Sequence, residues 1–152
     1  MKEFKKILFP VDLSDVSAKI VPYVSNVAKK FGAEIHLLFV VRQFRYYTDG
    51  YVGLTTIQDF ENEAIAGAEK NIDEFAETHF KGHPVCTTKI VLGDASEEII
   101  NYIQDENIDL VIMGTHGRKG LDRILFGSVA ERVIKMAPVP VMSVNPYRIS
   151  ES

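Results

Sequence analysis

The chain has 152 residues, of which 46% are hydrophobic and 25% charged, and its formal net charge at pH 7 is -4. These values are ordinary for a globular protein, and we expect one domain over residues 1–152. The negative charge disfavours nucleic acid as a partner, because no broad cationic field is available to release counterions from a phosphate backbone. A single cysteine excludes an internal disulfide framework. The apolar run near the amino terminus is too short for a signal peptide or a membrane span, so we expect a cytoplasmic protein without a membrane partner.

Five short apolar runs have the length of buried strands. They cover residues 6–11, 35–41, 85–92, 110–113 and 139–144. Cys86 falls in the third run, where we expect it to be a small core residue.

The first two segments between these runs are helical in their periodicity. In the first, apolar residues recur at steps of three and four between Ser14, placed as the N-cap, and Gly32, just past the end. Pro22 lies inside this helix, where we expect it to cause a kink. The second segment opens with residues 42–56, a long loop typical of a lid or an interface element, and continues as a helix over 57–75.

Capping signals mark the start of the last two helices. Asp94 and Glu97 have capping-box spacing at the third helix. Ser128 and Glu131 have the same spacing at the fourth, which we expect to begin at Ser128 and to end before Pro138.

Five strands alternating with four helices predict an α/β fold. We expect a single doubly wound domain, with a five-stranded parallel sheet in the order 3-2-1-4-5 and the four helices on both faces. A ligand in such a fold binds beyond the carboxyl ends of the strands, where the direction of winding reverses. Here that crevice lies between the first and fourth strands, so the chemistry is expected in residues 10–14 and 113–129.

Two glycine pairs follow the fourth strand. Gly114 and Gly117 leave no Cβ in the way of a ligand, and nine residues separate Gly117 from Gly127 and Ser128. At a helix start, Gly127 and Ser128 would offer backbone amides without intrahelical partners, which is a suitable seat for phosphate. The same residues could instead turn the chain and form a capping box, and spacing alone leaves both interpretations open. Positive charge nearby would come from Arg118, Lys119 and Arg123.

Asp12 lies on the opposite wall of the predicted crevice, at the end of the first strand. Its carboxylate could accept hydrogen bonds from the two hydroxyls of a ribose, and it could also help Ser14 to cap the first helix. The two roles are compatible.

Three stretches of the sequence resemble the universal stress protein family. They are ILFPVDLS at 7–14, GTHGRKGLDRILFGSVAERV at 114–133 and APVPV at 137–141. The resemblance covers almost the whole chain, and the two glycine pairs have the family's spacing. It implies that ATP, together with Mg²⁺, binds across the strand ends. Family members that lack the glycine pattern do not bind ATP, whereas this chain keeps the pattern.

The resemblance also implies individual contacts with the nucleotide. These are Pro10, Asp12, the Val40 backbone, Met113 and Gly114 for the base and ribose, and Gly117, Gly127, Ser128 and Val129 for the phosphates. It further implies a homodimer in which residues 139–144 pair with their copy in a second chain, which would cover an exposed sheet edge.

These features favour a regulatory module over an enzyme. We expect a nucleotide-responsive protein of the stress response whose state is detected by a regulatory protein that the sequence does not identify. No GxxxxGK[ST] motif occurs, so no P-loop lysine is present. His116 lies nearest the expected phosphates, and we count it and Arg118 among the nucleotide-binding residues. A histidine between two glycines is more often a phosphate contact or a solvated residue than a base. We assign no catalytic residue, and a weak ATPase with slow turnover at the same site is the alternative.

A phosphoacceptor receiver domain is a further alternative. It would use Asp12, Asp94 and Thr115. It is disfavoured because Asp12 has no acidic neighbour in its strand and Asn145 stands where a receiver requires lysine.

We expect no metal site formed by protein side chains. His79 and His83 are four residues apart, but Gly82 and Pro84 indicate that the helix has ended there, and no further ligand cluster accompanies the pair.

Overall fold

The structure is a computed structural model that describes residues 3–42, 54–116 and 121–149, with residues 54–57 and 121–126 described by their backbone only. In chain order the elements are β1 (Lys6–Pro10), α1 (Asp15–Phe31), β2 (Glu34–Arg42), α2 (Leu54–Phe80), β3 (Cys86–Gly93), α3 (Ala95–Asp105), β4 (Leu110–Gly114), α4 (Leu121–Met136) and β5 (Val141–Val144).

The five strands form one parallel sheet in the order β3-β2-β1-β4-β5. β1 is at the centre, where Ile7 pairs with Ile35 of β2 on one side and with Leu110 of β4 on the other. This order confirms the predicted doubly wound α/β fold. The winding reverses between β1 and β4, which places a crevice at their carboxyl ends.

Two apolar cores lie on opposite faces of the sheet. Successive residues of β1 point to alternate faces. Ile7 and Phe9 therefore pack in a core with residues of α1 and α2, while Leu8 packs in a core with residues of α3 and α4. All three side chains are fully buried, and burial of each contributes roughly 1.5–3 kcal/mol to stability. The helices thus cover both faces, as predicted, and fix the strand ends that border the crevice.

The caps predicted for α1 and for the start of α3 are confirmed. The Ser14 hydroxyl accepts a hydrogen bond from the Val16 amide at 3.2 Å, and Gly32 ends α1 with a left-handed φ of 62°. The Asp94 carboxylate accepts from the Glu97 amide at 3.1 Å and begins α3. Pro22 lies inside α1 without ending it, and the kink there stays a prediction.

Helix α2 is longer than its apolar spacing predicts, since it covers Leu54–Phe80 rather than 57–75. Its last residue, Phe80, is buried and packs edge-on against Phe9 at 6.3 Å between ring centroids, which holds the final turn against the sheet. The predicted loop 42–56 is shorter than expected, because Arg42 still belongs to β2 and α2 already begins at Leu54. Residues 43–53 lie outside the described residues, so the role of this loop stays a prediction.

Among the helices that the structure describes, none is both long enough and apolar enough to cross a membrane.

The start predicted for the fourth helix is wrong. α4 begins at Leu121, not at Ser128. Half of the residues of LDRILF at 121–126, two leucines and an arginine, are good helix formers. A single glycine inside a helix costs only about 1 kcal/mol relative to alanine, so Gly127 does not stop the helix. The capping-box spacing of Ser128 and Glu131 therefore lies within a continuous helix.

Strand β5 is shorter than the predicted run 139–144. It begins at Val141, and Pro140 before it contributes only its carbonyl, which accepts from the Val111 amide at 3.0 Å. Proline has no amide hydrogen for a sheet ladder, which explains the late start. β5 forms one edge of the sheet.

Candidate functional site

A cavity of about 590 Å³ opens beyond the carboxyl ends of β1 and β2. Its walls come from the end of β1 and the turn after it, from the end of β2, and from single faces of α2, α3 and α4. Several predicted site residues line it, namely Pro10, Asp12, Val40 and Val129. The structure therefore brings these four predicted residues together, but beyond the ends of β1 and β2 rather than between β1 and β4. The predicted residues Met113, Gly114 and His116 do not line this cavity.

The turn after β1 has an unusual backbone. Leu13 has a φ of 63°, in the left-handed region that residues with a Cβ rarely adopt. This conformation directs the chain from the end of β1 into Ser14, the N-cap of α1. Asp12 is thereby held at the cavity wall, directly before the helix start.

Asp12 performs the capping role predicted for it. One carboxylate oxygen, Oδ1, accepts from the Ser14 amide at 2.9 Å, from the Ser14 hydroxyl at 2.6 Å and from the Ser17 hydroxyl at 2.7 Å. The Asp12 amide in turn donates to the Ser17 hydroxyl at 2.9 Å. These bonds fix the orientation of the carboxylate, so it meets a ligand without further loss of side-chain freedom. The ribose role of Asp12 stays a prediction.

Helix α2 forms a wall of the cavity that the sequence patterns did not reveal. Glu63, Ala64, Gly67, Ala68 and Asn71 recur at helical spacing and line the cavity together. The small side chains at 64, 67 and 68 leave room between the helix and the strand ends. The signal was present as three small residues at helical spacing, but such a stripe is also common on helices that pack closely.

The opposite wall is mainly apolar. Val40 from β2, Ile99 from α3 and Val129 from α4 line the cavity, together with the first residue of α3, Ala95. Arg42, at the end of β2, adds a cationic side chain at the same end. The cavity thus combines apolar surfaces with a few polar groups, the composition typical of small-molecule sites.

The end of β4 provides backbone rather than side chains. Met113 is fully buried in the core between the sheet and the helices α3 and α4, and Gly114 is buried at the end of the strand. The amide of Thr115 donates to the Val144 carbonyl of β5 at 2.9 Å. His116 follows, with its Nδ1 atom 2.8 Å from the Thr115 hydroxyl. Gly117 and Arg118 lie outside the described residues.

The structure changes the interpretation of the second glycine pair. Gly127, Ser128 and Val129 lie inside α4, where amides find carbonyl partners four residues earlier in the chain. The expected unpaired amides of a helix start are therefore not offered at these residues in this conformation. Val129 nevertheless reaches the cavity, and a Cβ added at Gly127 would lie 3.4 Å from the Thr115 carbonyl. The role of these residues toward phosphate stays a prediction.

The strand order does not favour a phosphoacceptor site. β2 lies between β1 and β3, so the carboxyl ends of β1 and β3, which Asp12 and Asp94 follow, are not neighbours. Asp94 caps α3 and lies 3.8 Å from Arg132 of α4.

The two histidines near the end of α2 have separate surroundings. His83 donates from Nε2 to the Ala33 carbonyl at 2.8 Å, while the His79 ring packs on Phe75 with centroids 4.5 Å apart. Within the described ranges, no three side chains of His, Cys, Asp or Glu are grouped so that they could hold a metal ion.

Comparison with known proteins identifies similar sequences and structures. The family model described as the Universal stress protein family matches residues 3–145. Universal stress protein MJ0531 of Methanocaldococcus jannaschii is 38% identical over 152 residues, covering 93% of this chain and 82% of that protein. The structure of universal stress protein UspA from Lactobacillus plantarum matches with a TM-score of 0.80 at 24% identity, covering 95% of this chain and 100% of that one.

A second similar structure contains a nucleotide. It is the universal stress protein from Archaeoglobus fulgidus in complex with dAMP, which matches with a TM-score of 0.60 at 16% identity over 95% of this chain and 100% of that one. At these identities the two structures show a shared fold and nothing finer.

Proposed function

The chain belongs to the universal stress protein family, and on that premise we propose that it is a regulatory protein of the stress response that binds ATP in the cavity beyond β1 and β2. A response to stress is the family's contribution to this proposal. The residues contribute the site.

The observation that carries the proposal is the cavity itself, which lies beyond the carboxyl ends of β1 and β2 and has both an apolar wall and the carboxylate of Asp12. An adenine ring is flat and largely apolar on its faces, so it suits the space between Val40 and the small residues of α2. The ribose hydroxyls would then lie near Asp12, whose Oδ1 atom is already held by three donors. A universal stress protein of the same fold has been solved in complex with dAMP, and this motivates the choice of an adenine nucleotide as the proposed ligand.

Phosphate binding at Gly127 to Val129 would require a change at the amino end of α4. If the amides of Gly127 to Val129 hold phosphates, they must leave their partners within the helix, and α4 must then begin later than Leu121. The capping-box residues Ser128 and Glu131 supply a second, local signal for such a later start. We therefore expect a triphosphate to shorten α4 at its amino end, and adenosine to bind without this change.

We propose regulation as the main role, since the sequence has no P-loop lysine that would be placed on the phosphates. His116 is engaged with Thr115 through Nδ1, and its ring is not placed by any carboxylate that the structure describes. Mg²⁺ prefers phosphate oxygens when it accompanies ATP and would need no protein ligand cluster. We propose slow hydrolysis at most, and analysis of the bound nucleotide after long incubation distinguishes the roles, since retained ATP supports regulation and ADP supports turnover.

We also propose a homodimer through β5. This strand is a sheet edge, and its residues Met142 and Ser143 are exposed. Ile134 and Met136 of α4 are 50% and 61% exposed. Pairing with β5 of a second copy would give hydrogen-bond partners to the backbone groups of this edge strand and would cover apolar surface. Replacing Met142 with lysine should yield a monomer in sedimentation analysis, whereas a wild-type monomer at high concentration would refute the dimer.

The nucleotide site is tested by filling the cavity. A Cβ built on Gly67 meets no atom within 4 Å, and leucine is a better helix former than glycine, so Gly67→Leu should fold well while its side chain occupies the cavity. Gly82→Leu is a matched control, because a Cβ there also meets no atom within 4 Å and Gly82 does not line this cavity. In thermal melts, ATP at one hundred times its Kd should stabilise wild type and the control by about 2.7 kcal/mol. Equal stabilisation of Gly67→Leu would refute the site.

A further inference from the structure

Tyr147 connects the two sides of the crevice. Its ring meets the His116 ring edge-on, with centroids 5.6 Å apart and an interplanar angle of 73°. The Lys19 ammonium lies 5.7 Å from the centre of the same Tyr147 ring. Lys19 belongs to α1, which follows β1, whereas His116 belongs to the turn that follows β4. One aromatic ring therefore contacts the elements after both strands that border the crevice.

The segment that carries Tyr147 is itself fixed. The Asn145 side-chain carbonyl accepts from the Tyr147 amide at 3.0 Å, and the Asn145 backbone carbonyl accepts from the Arg148 amide at 3.2 Å. Pro146 between them is buried. This turn follows β5 directly, and the last residue of β5, Val144, accepts the hydrogen bond from Thr115. Residues 144–147 thus hold the turn of Thr115 and His116 through one backbone bond and one ring contact.

We propose that Tyr147 is a positioning residue for His116 and, through it, for the phosphate end of the nucleotide. The inference rests on the proposed function of the cavity. This tyrosine lies beyond residues 3–145, which the family model matches.

The chemistry of the His116 ring explains why its position matters. Its Nδ1 atom is 2.8 Å from the Thr115 hydroxyl. When the ring is neutral and that hydroxyl donates, the proton resides on Nε2, which becomes a donor suited to a phosphate oxygen. A bond of this kind depends on the ring's direction, and Tyr147 restricts that direction from one side. The Lys19 ammonium restrains Tyr147 by a cation–π contact.

The experiment compares Tyr147→Leu, Tyr147→Phe and a control, Tyr23→Leu, by calorimetric titration with ATP and with adenosine. Tyr23 is a partly exposed tyrosine on α1, 38% exposed, and serves as a control for loss of a surface ring. For Tyr147→Leu we expect the Kd for ATP to rise about tenfold and the Kd for adenosine to change less than about twofold, the difference of one charge-assisted hydrogen bond. Tyr147→Phe keeps the ring and should bind both ligands as wild type does, as should Tyr23→Leu.

A measurement without ligand accompanies the titration. In Tyr147→Leu the Thr115 amide should exchange its hydrogen at least about tenfold faster, because local opening of its bond to Val144 becomes easier. The Val111 amide, bonded to the Pro140 carbonyl at the other end of the same strand pair, should keep its rate.

The outcomes separate this inference from the proposed function. An equal loss of affinity for ATP and adenosine, or none for either, would overturn the positioning role of Tyr147 while leaving the nucleotide site standing. A wild-type protein that binds neither ligand would overturn the nucleotide site, and unchanged exchange of the Thr115 amide would then overturn the contact's positioning role as well. Faster exchange in that case would support the role of Tyr147 in fixing the turn and would overturn its role toward the phosphate end of a nucleotide.

Discussion

The Nδ1 atom of His36 lies 2.7 Å from the phenolic oxygen of Tyr102, and both residues are buried between the sheet and α3. The other ring nitrogen, Nε2, lies 3.0 Å from a carboxylate oxygen of Glu34. Since a carboxylate accepts, Nε2 donates to Glu34, and in the neutral ring Nδ1 accepts from Tyr102. The strand β2, whose end lines the proposed nucleotide site, is thus bonded to α3 through a histidine with both ring nitrogens paired.

Removing the Tyr102 hydroxyl should show how much the hydrogen bond with His36 contributes to stability. Tyr102→Phe leaves the Nδ1 atom of His36 buried without its partner, so we expect the free energy of unfolding to fall by about 1–3 kcal/mol. The double variant His36→Leu with Tyr102→Phe removes both polar groups and should lose less than the sum of the single changes. Urea unfolding of the four proteins measures this, and strictly additive losses would show that the pair is not coupled.

Stability at alkaline pH should depend on the buried Tyr102 and the partly buried Cys86. Burial, aided by the charges of Glu106 and Glu34, raises the pKa of Tyr102 from 10.0 to about 12, and burial raises the pKa of Cys86 from 9.0 to about 11. The folded chain therefore keeps protons that the unfolded chain releases, so their contributions are complete below pH 10 and pH 9 and are lost as pH rises through about 12 and 11. Urea unfolding from pH 8 to 12 should show a shallower decline for Tyr102→Phe above pH 10 and for Cys86→Ala above pH 9. Curves parallel to wild type would contradict these shifts.

Replacing Asp12 should affect both folding and binding. Asp12→Ala leaves the Ser14 amide and two serine hydroxyls without their acceptor, so we expect a loss of about 1–2 kcal/mol in the absence of nucleotide. The variant should also bind ATP more weakly, and the loss should be smaller for 2′-deoxy-ATP, which lacks one ribose hydroxyl. Asp15→Ala, an exposed change in the first turn of α1, is the control. Equal losses of affinity for the two nucleotides would show that Asp12 does not bind the ribose 2′-hydroxyl.

Gly127→Ala should raise the stability of the ligand-free protein and weaken its binding of ATP. The added Cβ would lie at an ordinary contact distance of 3.4 Å from the Thr115 carbonyl, and alanine favours the helix interior by about 0.5–1 kcal/mol over glycine. The ligand-free variant should therefore be slightly more stable than wild type. It should bind ATP less tightly, because it favours the long form of α4, and should bind adenosine normally. Thermal melts and calorimetry together decide this, and normal ATP affinity would show that α4 does not shorten.

The fold was predictable because its signals are local and agree with one another. Ser14, Gly32 and Asp94 each mark a helix end with chemistry that serves little else, and the intervening apolar runs have strand length. Right-handed crossovers then leave few arrangements of five parallel strands. Agreement among caps, periodicity and topology explains why the sheet order was recovered without any structural information.

The start of α4 was not predictable, because the local signals there conflict. Ser128 and Glu131 carry a valid capping signal, but residues 121–126 also favour a helix, and local preferences cannot decide between two acceptable starts. The α2 wall of the cavity was missed because Gly67 is informative only when its distance from the strand ends is known. Tyr147 was missed because its contacts with Lys19 and His116 join distant parts of the chain.

An amide-resolved NMR titration with ATP and Mg²⁺ shows at once whether a nucleotide occupies the cavity beyond β1 and β2. Binding in the proposed cavity predicts saturable shift changes at Asp12, Val40 and Thr115, at the carboxyl ends of β1, β2 and β4, with changes along α4 that adenosine does not produce. A second cavity, of about 470 Å³ and lined by Glu34 and His83, lies at the opposite ends of the strands and serves as an internal control. Shifts confined to that second cavity, or none at millimolar ATP, would contradict the account.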